Sequence, residues 1–148
     1  MKPIYISGES LQGESYKLFI SCLFEKSNIF SYEVLKDFDV IHDTDDKKYF
    51  DKILKSEKIF NNFYKKKSVD ERNKLKSFVY LNNSAVKQYL KSAESIYHWN
   101  YPNNIENSCF YKNDVCVFES VTHEDYFVFY SGDKIEIDRL KEYGLKSI

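Results

Sequence analysis

The sequence predicts an α+β fold in a single domain spanning residues 1–148, with helices packed on an antiparallel or mixed sheet of about five or six strands. The first observation is the stretch from Ser108 to Tyr130, where two short polar breaks separate three β-rich runs. Because these breaks are too short for a crossover helix, we expect the three strands to be neighbours in an antiparallel meander. The second observation is that apolar residues elsewhere recur at helical spacing, as from Tyr16 to Phe24.

The meander is apolar on both of its faces. In its last run, Phe127 and Phe129 alternate with Tyr126, Val128 and Tyr130. A sheet with one solvated face would instead alternate between apolar and polar residues. We therefore expect helices or a partner to cover both sides of the meander.

A two-residue turn at Asn113–Asp114 would place Tyr111 opposite Cys116 and Cys109 opposite Phe118. The two cysteines of this hairpin would then not face each other. The chain has three cysteines, and an odd number without a disulfide framework predicts free thiols in a reducing compartment.

The N-terminal part predicts a strand, a helix and a second strand. The apolar run at 4–6 gives the first strand, and the alternation from Phe30 to about Phe38 indicates a half-buried strand. The helix between them has an apolar stripe, and Cys22 lies off that stripe. The stripe consists of Tyr16, Phe19, Ile20, Leu23 and Phe24.

The middle of the chain carries opposite charges in adjacent segments. Residues 37–46 contain five aspartates around His42, and a lysine-rich helix follows from Lys47. Three interpretations of the acidic segment are open: a solvated helix entry, a cation site, or a mimic of phosphates that binds a basic partner. The interface candidates here are Asp43, Asp45 and Asp46.

Capping residues set the boundaries of two further helices. A strand at Phe78–Leu81 is followed by turn residues and an N-cap at 82–84, then by a short helix. Near the C-terminus, Asp133 and Glu136 fit a capping box, and Gly144 suits the position just past the helix end.

The aromatic loop at 97–104 contains a second group of interface candidates: His98, Trp99 and Tyr101. Exposed Trp and Tyr side chains often anchor interfaces, and loops often carry function. The alternative is that the single tryptophan plugs the edge of the core.

His123 and Glu124, followed by Asp125, lie in the connection between the last two meander strands. An imidazole beside carboxylates could act as a general base or help to bind a metal. The alternative is a turn whose polar side chains bond local backbone groups.

Other functional classes lack their sequence signatures. The chain has no phosphate-binding glycine loop, no nucleophile elbow and no paired metal-ligand motif, so we expect no catalytic residue, metal or cofactor. No apolar run suits a signal peptide or a membrane span, which predicts a cytoplasmic protein without membrane contact. Nucleic-acid binding is disfavoured because the lysine-rich segment to Lys76 has one arginine and the net charge is −1.

Several short motifs together cover about half of the chain. They are Gly8-Glu9-Ser10-Leu11, Gly13-Glu14, Tyr16, Trp99, Pro102, Glu106, Cys109-Phe110-Tyr111 and His123-Glu124. These motifs resemble a group of short proteins from Gram-positive bacteria, some of which carry the label stage III sporulation protein AH-like. The resemblance implies no particular activity.

The leading functional hypothesis is a small cytoplasmic protein-interaction module. It would act as an inhibitor or immunity-type partner of a bacterial toxin or defence protein. One alternative is a small hydrolase or nucleotide-handling enzyme that uses His123 and Glu124. Another is a sporulation or phage accessory factor. The sequence is also compatible with a homo-oligomer.

Overall fold

The computed structural model describes residues 1–35, 75–100 and 105–148, and these form an α+β structure, as predicted. The strands within these ranges are β1 (Lys2–Tyr5), β2 (Ile29–Leu35), β3 (Leu75–Leu81), β4 (Glu106–Lys112), β5 (Val115–Val121) and β6 (Tyr126–Ser131). The helices are α1 (Gly13–Lys26), α2 (Ser84–Lys91) and α3 (Lys134–Glu142), and short 3-10 turns occupy Gly8–Ser10, Ile96–His98 and Thr122–Glu124.

The described strands form one antiparallel sheet in the order β1-β6-β5-β4-β2-β3. Strands β4, β5 and β6 are consecutive in the chain and adjacent in space, which confirms the predicted meander. Strand β1 pairs with β6, so the N-terminal strand extends the meander on one side while β2 and β3 extend it on the other.

The hairpin register differs from the prediction at one position. Tyr111 lies opposite Cys116, as predicted, but Phe118 lies opposite Phe110 and not opposite Cys109. The register shifts between Phe110 and Tyr111, which is a β-bulge in β5. A turn motif fixes only the pairs nearest the turn, so the sequence prediction could not include this extra residue.

One face of the sheet, here called the inner face, packs against all three described helices. The Phe19 ring of α1 contacts Phe118 and Phe129 edge-on, with ring centroids 5.2 and 6.0 Å apart. Helices α2 and α3 add Leu90 and Leu140 to the same buried cluster. Burial of each such side chain contributes about 1.5–3 kcal/mol, so this layer is the main source of stability in the described structure.

Helix α1 is buried over a wider arc than predicted. The expected stripe is buried, with Phe24 partly so, but Cys22 is also buried, at 3% exposure. The reason is that α1 contacts α2 as well as the sheet, and Arg139 of α3 lies near Cys22. Burial raises the pKa of the Cys22 thiol, which favours an unreactive thiol.

The opposite face of the sheet, here called the outer face, is not uniform. Over the centre of the sheet, Ile29, Val79, Cys109 and Tyr111 form a second buried cluster. Over β1, β5 and β6 the outer face is partly exposed, and Tyr5 retains 47% of its surface. The prediction of two covered faces is therefore correct for β4 and wrong for this outer part of β5 and β6.

Strand β2 is also more buried than predicted. The expectation was a half-buried strand, but Ser31 and Glu33 are buried together with Phe30 and Tyr32. Ser31 lies opposite Val79 on one side and Cys109 on the other, so it belongs to the buried central part of the outer face.

The predicted helix boundaries are largely confirmed. The Asn83 side chain accepts hydrogen bonds from the backbone N–H groups of Ala85 and Val86, at 2.7 and 3.1 Å. Past the end of α3, Gly144 adopts a positive φ of 91°, and the Leu145 N–H donates to the Leu140 carbonyl at 3.1 Å. This is the Schellman arrangement, in which glycine relieves backbone strain.

The capping box of α3 is only half formed. Asp133 caps the helix by accepting from the Ile135 N–H at 2.8 Å. Glu136 does not return the bond: its carboxylate accepts from the Ser131 hydroxyl and from Lys26, while Ser131 Oγ accepts from the Asp133 N–H at 3.1 Å. Ser131, two residues before the cap, therefore takes the role predicted for Glu136.

A buried hydrogen-bond node joins α1, α2 and the aromatic loop. The Tyr16 hydroxyl donates to the Leu90 carbonyl at 2.5 Å and accepts from Trp99 Nε1 at 2.6 Å. Tyr16 is fully buried and Trp99 is 1% exposed. Burial raises the pKa of the Tyr16 phenol, so this hydroxyl keeps its proton and both of its bonds.

Among the described helices, none combines the length and the apolar character that a membrane crossing requires.

We predict that Tyr16→Phe lowers the free energy of unfolding by about 1–3 kcal/mol, because the Trp99 N–H and the Leu90 carbonyl lose their partner without access to water. Urea denaturation measures this change. The matched control is Tyr143→Phe, since the half-buried Tyr143 hydroxyl makes no hydrogen bond to the described residues. Equal stability of the two variants would show that the node contributes nothing.

Candidate functional site

Four side chains on the outer face surround Val128 and form what we call the tyrosine cluster. They are Tyr5, Glu119, Tyr126 and Tyr130. Val128 lies opposite Tyr5 of β1 on one side and opposite Glu119 of β5 on the other. Tyr126 and Tyr130 lie two residues before and after Val128 on the same strand, so their side chains share its face. Val128 itself is fully buried, although it lies on the partly exposed part of this face.

Hydrogen bonds fix the polar groups of the tyrosine cluster. Glu119 Oε1 accepts from the hydroxyls of Tyr130 and Tyr126, at 2.8 and 3.1 Å. The Tyr5 ring contacts the Tyr126 ring edge-on, with centroids 6.1 Å apart. The two tyrosines that flank Val128 are thereby held in one orientation by a single carboxylate.

The protonation state of the two bonded tyrosines follows from their surroundings. Burial and the adjacent Glu119 carboxylate both raise the pKa of Tyr126 and of Tyr130. A phenolate would lose its bond to the carboxylate and would repel it. Both hydroxyls therefore remain neutral donors to Glu119.

A second polar site lies where β4 begins and β5 ends. His123 Nδ1 is 2.5 Å from Glu106 Oε1, and His123 Nε2 is 3.8 Å from Glu124 Oε1. The Glu106 side chain is 10% exposed, whereas the His123 side chain is 57% exposed. A nearly buried carboxylate thus orients a largely exposed imidazole.

The turn that carries His123 is joined to the aromatic loop. The Tyr97 hydroxyl donates to Asp125 Oδ1 at 2.5 Å, and Asp125 adopts the left-handed φ of 54°. Burial, followed by the hydrogen bond to Asp125, raises the pKa of Tyr97 to about 12. The bond passes close to Gly8, where an added Cβ would lie 2.1 Å from the Tyr97 hydroxyl oxygen.

The predicted site residues differ in their burial. Trp99 is buried and supports the core, in agreement with the structural alternative for this residue, while the neighbouring His98 is exposed and contacts the Trp99 ring edge-on at 4.6 Å. His123 and Glu124 are exposed on their turn. The remaining candidates, Tyr101, Asp43, Asp45 and Asp46, lie outside the described residues.

Sequence reasoning missed two partners at these sites. Glu106 was named only as part of the resemblance motif and not as a partner of His123. Nothing in the local sequence connects it to His123, which lies 17 residues further along the chain. Glu119 is the one charged residue of β5, and that charge was the available signal for the tyrosine cluster.

A groove of about 730 Å³ lies beside the turn of the β4–β5 hairpin, and its lining includes Lys26, Lys112, Val115 and Tyr130. Two of the charged residues that line this groove, Lys26 and Glu136, already form an ion pair with each other. No group of three His, Cys, Asp or Glu side chains in the described ranges is arranged to hold a metal ion.

Comparisons with known proteins found no relative: no family model, no curated protein and no solved structure matches the chain. The resemblance to the sporulation-labelled group stays a prediction, and the functional argument depends on the geometry above.

We predict that Gly8→Ala breaks the Tyr97–Asp125 hydrogen bond and lowers the free energy of unfolding by about 1–3 kcal/mol, because the new methyl group overlaps both side chains. Urea denaturation again gives the measurement. Gly132→Ala is the matched control, since its Cβ would approach nothing closer than 3.9 Å and should change stability by less than about 0.5 kcal/mol.

In the background of Tyr97→Ala, where the obstructing ring is absent, the cost of Gly8→Ala should shrink. A cost that stays the same in both backgrounds would contradict the proposed overlap.

Proposed function

We propose that this protein is a small protein-binding module of the inhibitor or immunity type, which binds a bacterial toxin or defence protein through the tyrosine cluster. The observation that carries the proposal is the accessible group of Tyr5, Tyr126 and Tyr130 on the face opposite the described helices. Tyrosine is among the residues that contribute most to binding free energy at protein interfaces.

The rigidity of the tyrosine cluster supports this proposal. Immobilising a flexible side chain on binding costs about 0.5–1.5 kcal/mol, and this cost falls when the side chain is already fixed in the free protein. Tyr126 and Tyr130 are fixed by their bonds to Glu119, and their strand pairs with both neighbours in the sheet. An inhibitor requires such a preformed surface and does not require a reacting group.

The position of the tyrosine cluster also suits a partner. The described helices contribute to the inner core cluster, so occupation of the outer face displaces none of them. Tyr5 is 47% exposed and gives a partner access to the outer face at β1. The acidic segment at 37–46 was the sequence-based reason to expect a basic partner, and Glu119 adds a carboxylate on this surface.

The test is affinity capture from the native cell with wild-type protein and with Tyr5→Asp. We expect wild-type protein to retain one stoichiometric protein whose toxic or defensive activity it inhibits, and Tyr5→Asp to lower the affinity at least roughly tenfold. The substitution removes an exposed ring and adds a charge on the same face as Glu119, with Val128 between the two positions, so the fold should persist. Unchanged denaturation confirms that point.

The matched control is Ile135→Asp, which places the same charge on an apolar residue of α3 that is 70% exposed. Capture should be unaffected by this change. Absence of any stoichiometric partner, or equal capture by Tyr5→Asp and the wild type, would overturn the proposal.

A second candidate function has its own supporting observation, the 2.5 Å contact between Glu106 and His123. A carboxylate that accepts the Nδ1 proton leaves Nε2 as the basic nitrogen, which is the arrangement of a general base. This favours a small hydrolase or nucleotide-handling enzyme as the alternative.

For that alternative, we expect Glu106→Gln and His123→Ala each to lower a hydrolytic activity found in a substrate screen by about 10²–10⁴-fold. His98→Ala serves as the control because His98 lies on the neighbouring loop and is exposed. Any activity that survives His123→Ala would exclude this imidazole as the base.

A further inference from the structure

We infer that the tyrosine cluster recognises an arginine side chain of the partner, with Glu119 as its counter-charge. This inference rests on the proposed function and specifies its chemistry. It requires three properties of the cluster: a net negative charge, acceptor groups around that charge, and an accessible aromatic ring.

The charge of the surface follows from its composition. On the outer face of β1, β5 and β6 the side chains are Pro3, Tyr5, Cys116, Glu119, Val121, Tyr126, Val128 and Tyr130. Among these described residues Glu119 carries the one full charge, and no lysine or arginine neutralises it. A cation is therefore the complementary ligand.

Around Glu119, the hydrogen-bonding groups of the cluster are acceptors. Each bonded tyrosine donates its only proton to Glu119 Oε1, so the remaining lone pairs of Tyr126 and Tyr130 can only accept. Glu119 Oε2 takes no hydrogen bond from the described residues and is an acceptor as well. A ligand made only of donors fits the groups around Glu119, whereas a phosphate or carboxylate would meet the charge of Glu119 and find only the Tyr5 hydroxyl as a donor.

Among donor-only side chains, the geometry favours arginine over lysine. A guanidinium presents five N–H groups in one plane, can stack on an aromatic face and can bond a carboxylate at the same time. The acceptors of Glu119, Tyr126 and Tyr130 lie on one side of the cluster, and the half-exposed Tyr5 ring lies on the other side of Val128. A lysine ammonium can also pair with the carboxylate, but it is a compact point charge without a flat face that stacks on a ring.

The experiment uses the full-length protein and three probes: the amides of N-acetyl-arginine, N-acetyl-citrulline and N-acetyl-lysine. Citrulline matches arginine in shape and lacks its charge. NMR titration should show saturable shifts of the Tyr126 and Tyr130 resonances with the arginine probe, with a dissociation constant of roughly millimolar magnitude. Binding of citrulline should be at least roughly tenfold weaker, and lysine should fall between the two.

Two variants localise the effect. Glu119→Gln keeps the shape and an oxygen acceptor for the tyrosines but removes the charge, so it should weaken arginine binding at least roughly tenfold. The matched control is Glu94→Gln, a carboxylate that is 85% exposed in another part of the surface and should leave binding unchanged. No saturable shift, equal binding of citrulline, or no effect of Glu119→Gln would each overturn the inference.

The two proposals can fail separately. If a captured partner depends on Tyr5 but binds Glu119→Gln as tightly as the wild type, the arginine inference fails and the proposed function stands. If the arginine probe binds through Glu119 but no partner is captured, the recognition chemistry stands and the proposed function fails.

Discussion

The packing of α1 against the inner face of the sheet is the constraint on which the rest of the described structure depends. Phe19 lies against Phe118 and Phe129, and the same cluster collects residues from the other two helices. Because these aromatic side chains exclude water from the inner face, both candidate sites lie away from that face, one on the outer face and one at the loop ends.

Two carboxylates organise these sites in opposite ways. Glu119 lies on a partly exposed face and uses one oxygen to fix two neutral tyrosines, which leaves rigid acceptor groups around its charge. Glu106 is nearly buried and presents an exposed imidazole. The first arrangement suits recognition of a cation, and the second suits proton transfer. The proposed function is placed on the first because it also supplies the aromatic area that interfaces use.

The loops at the His123 end are held by close packing. The bond from Tyr97 to Asp125 passes over Gly8, so three distant chain segments meet where no side chain larger than hydrogen fits. On the other side of the same loop, Trp99 bonds to Tyr16 in the core. The aromatic loop is therefore anchored at two points, and the exposed His98 and His123 belong to connected segments.

The sequence by itself determined the features that depend on neighbouring residues: the α1 stripe, the Asn83 cap, the Gly144 terminus and the three-strand meander. Each follows from local periodicity or from backbone preferences that act over a few residues. The tertiary structure alone decided the bulge beside Phe118, the pairing of Glu106 with His123, and which part of the apolar ribbon stays accessible. Alternation shows that a strand has two faces, but only the placement of the other elements determines which face is covered.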